Sequence, residues 1–253
     1  MTTIQQRSPL FSNFRPDPNV INSIVLKEWG LSLGPLIKAS QNHTFSAYNP
    51  NTKVKYVVRV THALEGEISK YSTEQRVADE LFFVLFVSEK RLEGVCAPVA
   101  KKSNECKVFQ PSDLYIYIEN LIICVFQWAV GNPIDFMALE WLTNEKIVYA
   151  QGRWLAELHK ITMDFSIEHY AIALRMRRWN QLHSGVLKGV KISNEDKLAL
   201  NNIYPHTNNV GIIHGDLNVS NFFLRSSEEL STNEQTVEYI KLSVFDWDQV
   251  QVL

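Results

Sequence analysis

Three cysteines, Cys96, Cys106 and Cys124, are all that the 253-residue chain has, and no two form a CxxC pair. That count is odd and the spacing is wide, which argues against a disulfide framework and against a thiolate zinc site, and favours reduced thiols in a cytoplasmic protein. Long apolar runs are also missing. The longest, Leu81–Val87 and Leu121–Phe126, fall far short of the roughly 20 residues that cross a bilayer. The first twenty residues hold two arginines and three prolines but no apolar stretch of signal-peptide length. A membrane partner is therefore not expected. Charge of one sign is scarce too, with 25 Lys+Arg against 27 Asp+Glu and a formal net charge of −2, so composition gives no general attraction to nucleic acid. What remains is a chain that is 45% hydrophobic and 21% charged, able to bury a core as one large domain or two lobes.

Two apolar runs, Leu31–Ile37 and Tyr56–Val60, flank a turn-rich stretch at Tyr48–Thr52 and predict an antiparallel hairpin. Val77, Leu81, Val84, Leu85 and Ser88 recur at helical spacing, and Gly94 and Pro98 mark where that helix has ended. Leu114–Ile118 and Leu121–Phe126 are dense in β-branched and aromatic residues, as strands are, and Gly131-Asn132-Pro133 closes them. The pattern then changes. Ile147, Trp154, Leu155, Leu158 and Ile161 form the stripe of one long amphipathic helix. Residues 165–209 read as helix with loops. Short strands return at Val210–Ile213, Phe222–Leu224 and Ile240–Phe245, with a polar connection over 225–238. The predicted organisation is an N-terminal extension (1–19), a strand-rich first lobe (20–130) with a hinge near 126–131, and a mostly helical second lobe (131–253). Two lobes imply a cleft.

The chemistry concentrates at Ile212-Ile213-His214-Gly215-Asp216-Leu217-Asn218-Val219-Ser220-Asn221, where an apolar strand ends in a loop carrying Asp216 and, five residues on, Asn221. A carboxylate at a strand end can accept a hydroxyl proton, and an amide oxygen one short loop later can turn towards the same metal. A second strand ends in Asp246-Trp247-Asp248. Two clusters of hard oxygen donors suit Mg²⁺ and phosphate oxygens, the equipment of phosphoryl transfer. Such a site also needs a cationic clamp, for which Arg59 is the candidate, paired with an acid on the next helix at Glu80; Glu74 competes for that place.

On these residues the sequence resembles the aminoglycoside phosphotransferase and choline-kinase-like family, relatives of the protein kinases. His214-Gly215-Asp216 with Asn221, and Asp246-Trp247-Asp248, carry the resemblance. Further along the same order, Ser40–Phe45 looks like the family's phosphate-covering turn and Tyr56–Val60 like its nucleotide-clamping strand. Val125–Gly131 looks like its interlobe hinge, and Gly152–His159 like the long helix of its second lobe. The resemblance covers roughly residues 20–253. It implies an α+β, two-lobed protein-kinase-like fold with an antiparallel-sheet N-lobe and an incomplete C-lobe. It also implies an ATP-dependent phosphotransferase acting on a hydroxyl of a small molecule, with ATP and Mg²⁺ as cofactors. In that reading Asp216 orients or deprotonates the acceptor hydroxyl and His214 supports the loop. Asn221, Asp246 and Asp248 bind the metal, Asn42 and Arg59 meet the phosphates with Glu80 orienting Arg59, and the backbone of Gln127 and Ala129 meets adenine.

The chain departs from the family pattern in three places. The Ser40–Phe45 turn has no glycine, arginine stands at position 59 where protein kinases carry lysine, and only Gln249–Leu253 follow Asp248 where the family continues with several helices. A second reading is therefore a truncated, catalytically silent nucleotide-binding or interaction module of the same fold. A protein-serine/threonine kinase fits less well, because the HGD loop and the DWD resemble the small-molecule branch.

Overall fold

The computed structural model describes residues 15–40, 42–63, 73–102, 110–135, 137–178, 212–232, 235–247 and 251–252. Two compact units divide the chain, one made of residues up to Leu81 together with Ala97–Trp128, the other of Phe82–Cys96 together with Ala129 onwards.

The first unit opens with a helix absent from the sequence expectation, α1 (Pro18–Trp29). Asp17 caps it by accepting the Asn19 N–H, Pro18 fits its first turn, and Gly30 ends it in the left-handed region at φ 68°. Ile21, Val25 and Trp29, spaced by four, form its buried stripe. Strands β1 (Ser32–Ala39), β2 (Asn42–Tyr48) and β3 (Lys55–His62) follow as two consecutive hairpins. This corrects two expectations. The runs at 31–37 and 56–60 are not partners, because β2 lies between them, and most of Ser40–Phe45 is strand rather than turn. Helix α2 (Thr73–Glu89) starts in this unit. After β4 (Tyr115–Ile118) and β5 (Leu121–Gln127) the antiparallel sheet runs β1-β2-β3-β5-β4.

Side chains alternate across a strand, so Phe45 and Ala47, Val58 and Val60, and Ile123 and Val125 share one face. These pairs and the α1 stripe form one buried cluster. The Trp29 indole N–H donates to the Val99 carbonyl at 2.8 Å and fixes the helix to the sheet margin. Arg59, one position off the Val58/Val60 register, points to the opposite face, across from Cys124 of β5.

The second unit takes the other half of α2, whose Phe83, Val84, Phe86 and Val87 are buried. It continues with β6 (Asn132–Pro133), α3 (Glu140–Thr143), the 24-residue α4 (Glu145–Glu168), α5 (Tyr170–Arg175), β7 (Arg177–Arg178) and β8 (Ile212–Ile213). Asn144 caps α4 by accepting the Lys146 N–H at 3.0 Å, and Ile147, Ala150, Trp154, Leu158, Thr162 and Phe165 form its buried stripe. A long hairpin of β9 (Phe222–Thr232) and β10 (Gln235–Val244) follows, then β11 (Gln251–Val252). The expected polar connection at 225–238 is thus mostly paired strand. β6 extends the hairpin into the order β10-β9-β6, and β7-β11-β8 make a second small sheet. Aromatic edges fill the core: Phe83 meets Phe165 at 5.0 Å and 86°, and Trp247 lies 5.6 Å from Trp154. The fold is α+β, with antiparallel sheet and helices. No helix among the described residues is long and apolar enough to cross a membrane.

Candidate active site

In the first unit, β3 carries Arg59 and α2 carries Glu80, and the structure joins them. Arg59 donates from both terminal guanidinium nitrogens to the two Glu80 carboxylate oxygens, at 2.7 and 2.8 Å. Side-chain exposure is only 6% and 7%, so this is a forked, desolvated ion pair of the kind lysine cannot make. The Phe126 ring lies 5.1 Å from the guanidinium carbon, adding a cation–π contact. Glu74 is engaged elsewhere, since its carboxylate accepts the Tyr115 hydroxyl at 2.9 Å. Burial, reinforced by that bond, pushes the Tyr115 hydroxyl up to about 12.

Asn42 stands at the start of β2, where its side-chain oxygen accepts the Thr61 hydroxyl at 2.8 Å. Its amide oxygen is therefore spent inside the sheet. Gln127 ends β5 and its backbone N–H donates to the Ala97 carbonyl at 2.9 Å, so an adenine edge could use only its carbonyl. Trp128 faces Lys55, whose ammonium sits 5.4 Å from the indole. Ala129 belongs to the other unit.

In the second unit, the loop after β8 is built by short polar residues. Gly215 at φ 80° makes the turn that releases the chain from the strand. Asn218 caps a 3-10 turn (Val219–Asn221) by accepting the Ser220 N–H at 2.8 Å, and its side-chain nitrogen donates to one Asp216 carboxylate oxygen at 2.7 Å. Asn221 donates to the other oxygen at 3.1 Å and to the Asp216 carbonyl at 2.9 Å. Each oxygen of the Asp216 carboxylate thus accepts a hydrogen bond, which fixes its plane. Asn218 is a site residue that the motif reading does not include, although its position before a Ser-Asn pair is a capping signal.

His214 ties this loop to the end of β10. Its Nε2 lies 3.0 Å from the Phe245 carbonyl, and its Nδ1 lies 3.4 Å from the Asp216 backbone nitrogen. A carbonyl only accepts, so Nε2 carries the proton and Nδ1 is the acceptor. Burial pushes the imidazole down to about 4, against opposing pulls from the Phe245 carbonyl, Asp246 and Asp216. It is neutral at physiological pH, as this tautomer requires. The backbone repeats the link, with Phe245 N–H donating to the Asn221 carbonyl at 3.0 Å. The indole of Trp247 backs His214 at 4.5 Å between ring centres.

Asp246 follows at φ 63°, a left-handed conformation that Asp tolerates better than most residues. The structure thereby brings His214, Asp216, Asn221 and Asp246 into one locality. Asp248 lies outside the described residues, as does Cys106. Among the described residues no three His, Cys, Asp or Glu side chains are placed to hold a metal ion together; the oxygen-bearing side chains around His214 are the carboxylates of Asp216 and Asp246 and the Asn221 amide. An all-oxygen set of that size fits Mg²⁺, which keeps waters and phosphate oxygens for its other positions. The described cysteines take no part: burial pushes the Cys96 thiol up to about 12 and Cys124 to about 11.

No family model matches the chain, and no curated protein matches its sequence. Among solved structures it is similar to an ethanolamine kinase of Plasmodium vivax, at 12% identity and a TM-score of 0.49, with 96% of this chain aligned. The chain spans 66% of the length of that protein. The chemistry of the site rests on its residue geometry and not on this likeness.

Proposed function

We propose that the protein is an ATP-dependent phosphotransferase whose acceptor is the hydroxyl of a small molecule. The observation that carries this reading is the Asp216 carboxylate, clamped by Asn218 and Asn221 and tied through His214 to the segment that holds Asp246. Asp216 is the base: it orients the acceptor hydroxyl and takes its proton as the bond to phosphorus forms. Asn221 and Asp246 would hold Mg²⁺, which supplies charge neutralisation on the phosphates. For that role the Asn221 amide oxygen turns from the Ser220 hydroxyl, 3.3 Å away. Arg59 supplies fixed positive charge for the nucleotide phosphates and Glu80 holds its fork in place. His214 is a positioning residue, since its two ring nitrogens are spent on the loop and on Phe245.

Nucleotide binding tests the first half of this reading. Thermal unfolding with and without Mg·ATP, at a hundredfold excess over the dissociation constant, should register about 2.7 kcal/mol of stabilisation. Asp246→Ala should lose most of that shift. Asp216→Asn should keep it and lose transfer to a panel of alcohols, because the base acts on the acceptor rather than the nucleotide. Turnover retained by Asp216→Asn removes that residue from the role of base.

A further inference from the structure

Helix α4 has two apolar faces. One is the buried stripe of Ile147, Ala150, Trp154, Leu158 and Phe165. The other looks outward. Val148, Tyr149, Gly152, Ala156, Met163 and Ile167 are all exposed, and at about 100° per residue they share an arc of about 100° on the far side of the helix. Single exposed apolar residues are ordinary, but a continuous row of them along one helix, ending in an Ile167 that is 79% exposed, is the mark of an interaction surface. Gly152 sits in the middle of that row. Glycine weakens a helix interior, and among the described residues an added Cβ there would meet nothing within 4 Å. Crowding within the chain therefore does not call for it, whereas the close approach of another backbone would.

The row is ordered by size. Its first half carries the small Gly152 and Ala156, its second half the long Met163 and Ile167. A second α4 laid antiparallel on the first sets large against small. Where Met163 of the second copy falls midway between Gly152 and Ala156, Ile167 of that copy falls midway between Val148 and Gly152, and these i, i+4 spaces are the ones a packed helix fills. The same register aligns the charges, which the packing alone does not require. Arg153, Glu157, Lys160 and Asp164 follow one margin of the row in the order plus, minus, plus, minus. Read in reverse from the second copy, that order places Glu157 opposite Lys160 and Arg153 opposite Asp164, and a two-fold axis makes each pairing twice. The arrangement asks for no unpaired charge. Glu157 and Lys160 already meet within the chain at 3.4 Å, as an exposed pair that can exchange partners.

We propose that the outward face of α4 is an interface between two copies of this chain, packed antiparallel about a two-fold axis that passes near Leu158 and His159. Size order and charge order are independent features of the sequence, and both select a second copy in one register.

Sedimentation velocity of the full chain over a concentration series should show a reversible monomer–dimer equilibrium. Glu157→Lys sets like charges opposite each other twice and should weaken the dimer about tenfold. Adding Lys160→Glu to it restores opposite signs across the axis and should return the affinity to near that of the wild type. Gly152→Gln fills the space that receives Met163 and should weaken the dimer about tenfold or more, while the melting temperature of the dilute monomer stays the same or rises, because glutamine is the better helix former. A chain that remains monomeric up to about 0.1 mM overturns the proposal and assigns the row to a different partner. A dimer untouched by Gly152→Gln, or a double charge reversal that binds no better than Glu157→Lys alone, overturns it as well.

Discussion

Replacing Glu80 by Gln keeps the volume of the side chain and removes its charge, so it isolates what the buried pair with Arg59 is worth. Both side chains are less than a tenth exposed, and two bonds of 2.7 and 2.8 Å join them. In the variant one guanidinium nitrogen faces an amide NH₂ and the Arg59 charge stays buried without its carboxylate. Breaking one side of such a pair costs about 3–5 kcal/mol, mostly the desolvation of the charge left behind. Changing both partners, Arg59→Met with Glu80→Leu, should cost much less than the sum of the single changes, because no charge then remains buried. Arg59→Lys retains charge but not the fork, and should lose about 1.5–3 kcal/mol. Urea unfolding at 25 °C followed by far-ultraviolet circular dichroism measures each of these proteins. Salt supplies an internal check, since a pair this dry is weakly screened and the difference should change little between 0.05 and 0.5 M, roughly. A loss below about 1 kcal/mol for Glu80→Gln, or single costs that simply add in the double variant, refutes the reasoning.

His214 should make stability depend on pH in a defined window. Its native pKa is pushed down to about 4 from 6.5, so only the unfolded chain takes up a proton as pH falls from 6.5 to 4; stability is full above 6.5 and drops by about 1.4 kcal/mol per pH unit below it, about 3 in all. Unfolding free energies from urea titrations at pH 7.5 and 4.5 should differ by about 2.5 kcal/mol more in the wild type than in His214→Gln; equal differences count against a neutral buried imidazole. Gly94→Ala should be severely destabilising, because φ is 78° and an added Cβ would stand 1.7 Å from the Leu242 carbonyl oxygen; a melting temperature within a few degrees of wild type would contradict the turn. Trp29→Phe loses the bond to the Val99 carbonyl and part of the α1 seam, and about 1–3 kcal/mol of urea stability should go with them. Trp247→Phe removes a buried indole N–H that finds no partner among the described residues, so its loss should fall well below the roughly 3–5 kcal/mol of an aromatic core truncation, and a full-sized loss shows the N–H is satisfied.

Helices α2 and α4 are legible in the sequence because their apolar residues repeat with the helical period and their cores are continuous. α1 is not, although Asp17-Pro18 and Gly30 bracket a stripe of Ile21, Val25 and Trp29; it sits behind a proline-rich start that reads as an extension. β2 misleads for the opposite reason. Asn42, His43 and Thr44 are polar and look like a turn, yet Asn42 and His43 are buried, with Asn42 satisfied by Thr61, a partner 19 residues away that composition cannot reveal. The hairpin of β9 and β10 hides because a ribbon of two long strands need not bury one face along its whole length. At the site, the spacing of Asp216 and Asn221 is visible because it is local. The choice of Glu80 over Glu74 is not, since six residues turn a helix by roughly 600° and only one of the two can face β3, whichever way the helix is rotated. The link from His214 to Phe245 depends on where β10 ends against the loop, which is a matter of tertiary register.

The division of the chain governs how it is made. Neither unit is a single segment: the polypeptide leaves the first at residue 81, comes back at 97 and leaves again at 128. On a ribosome the sheet of the first unit can be completed once β5 has emerged, but the second half of α2 waits. Phe83, Phe86 and Val87 belong to a core whose other members include Trp154, Phe165, Phe222 and Trp247, and the last of these is made more than 150 residues later, at roughly 5–20 residues per second. From the emergence of β5 until then, many seconds in length, the nascent protein carries a finished sheet and a sticky half-helix at once. Its period of greatest exposure to chaperones and to aggregation is thus written into the order of its segments.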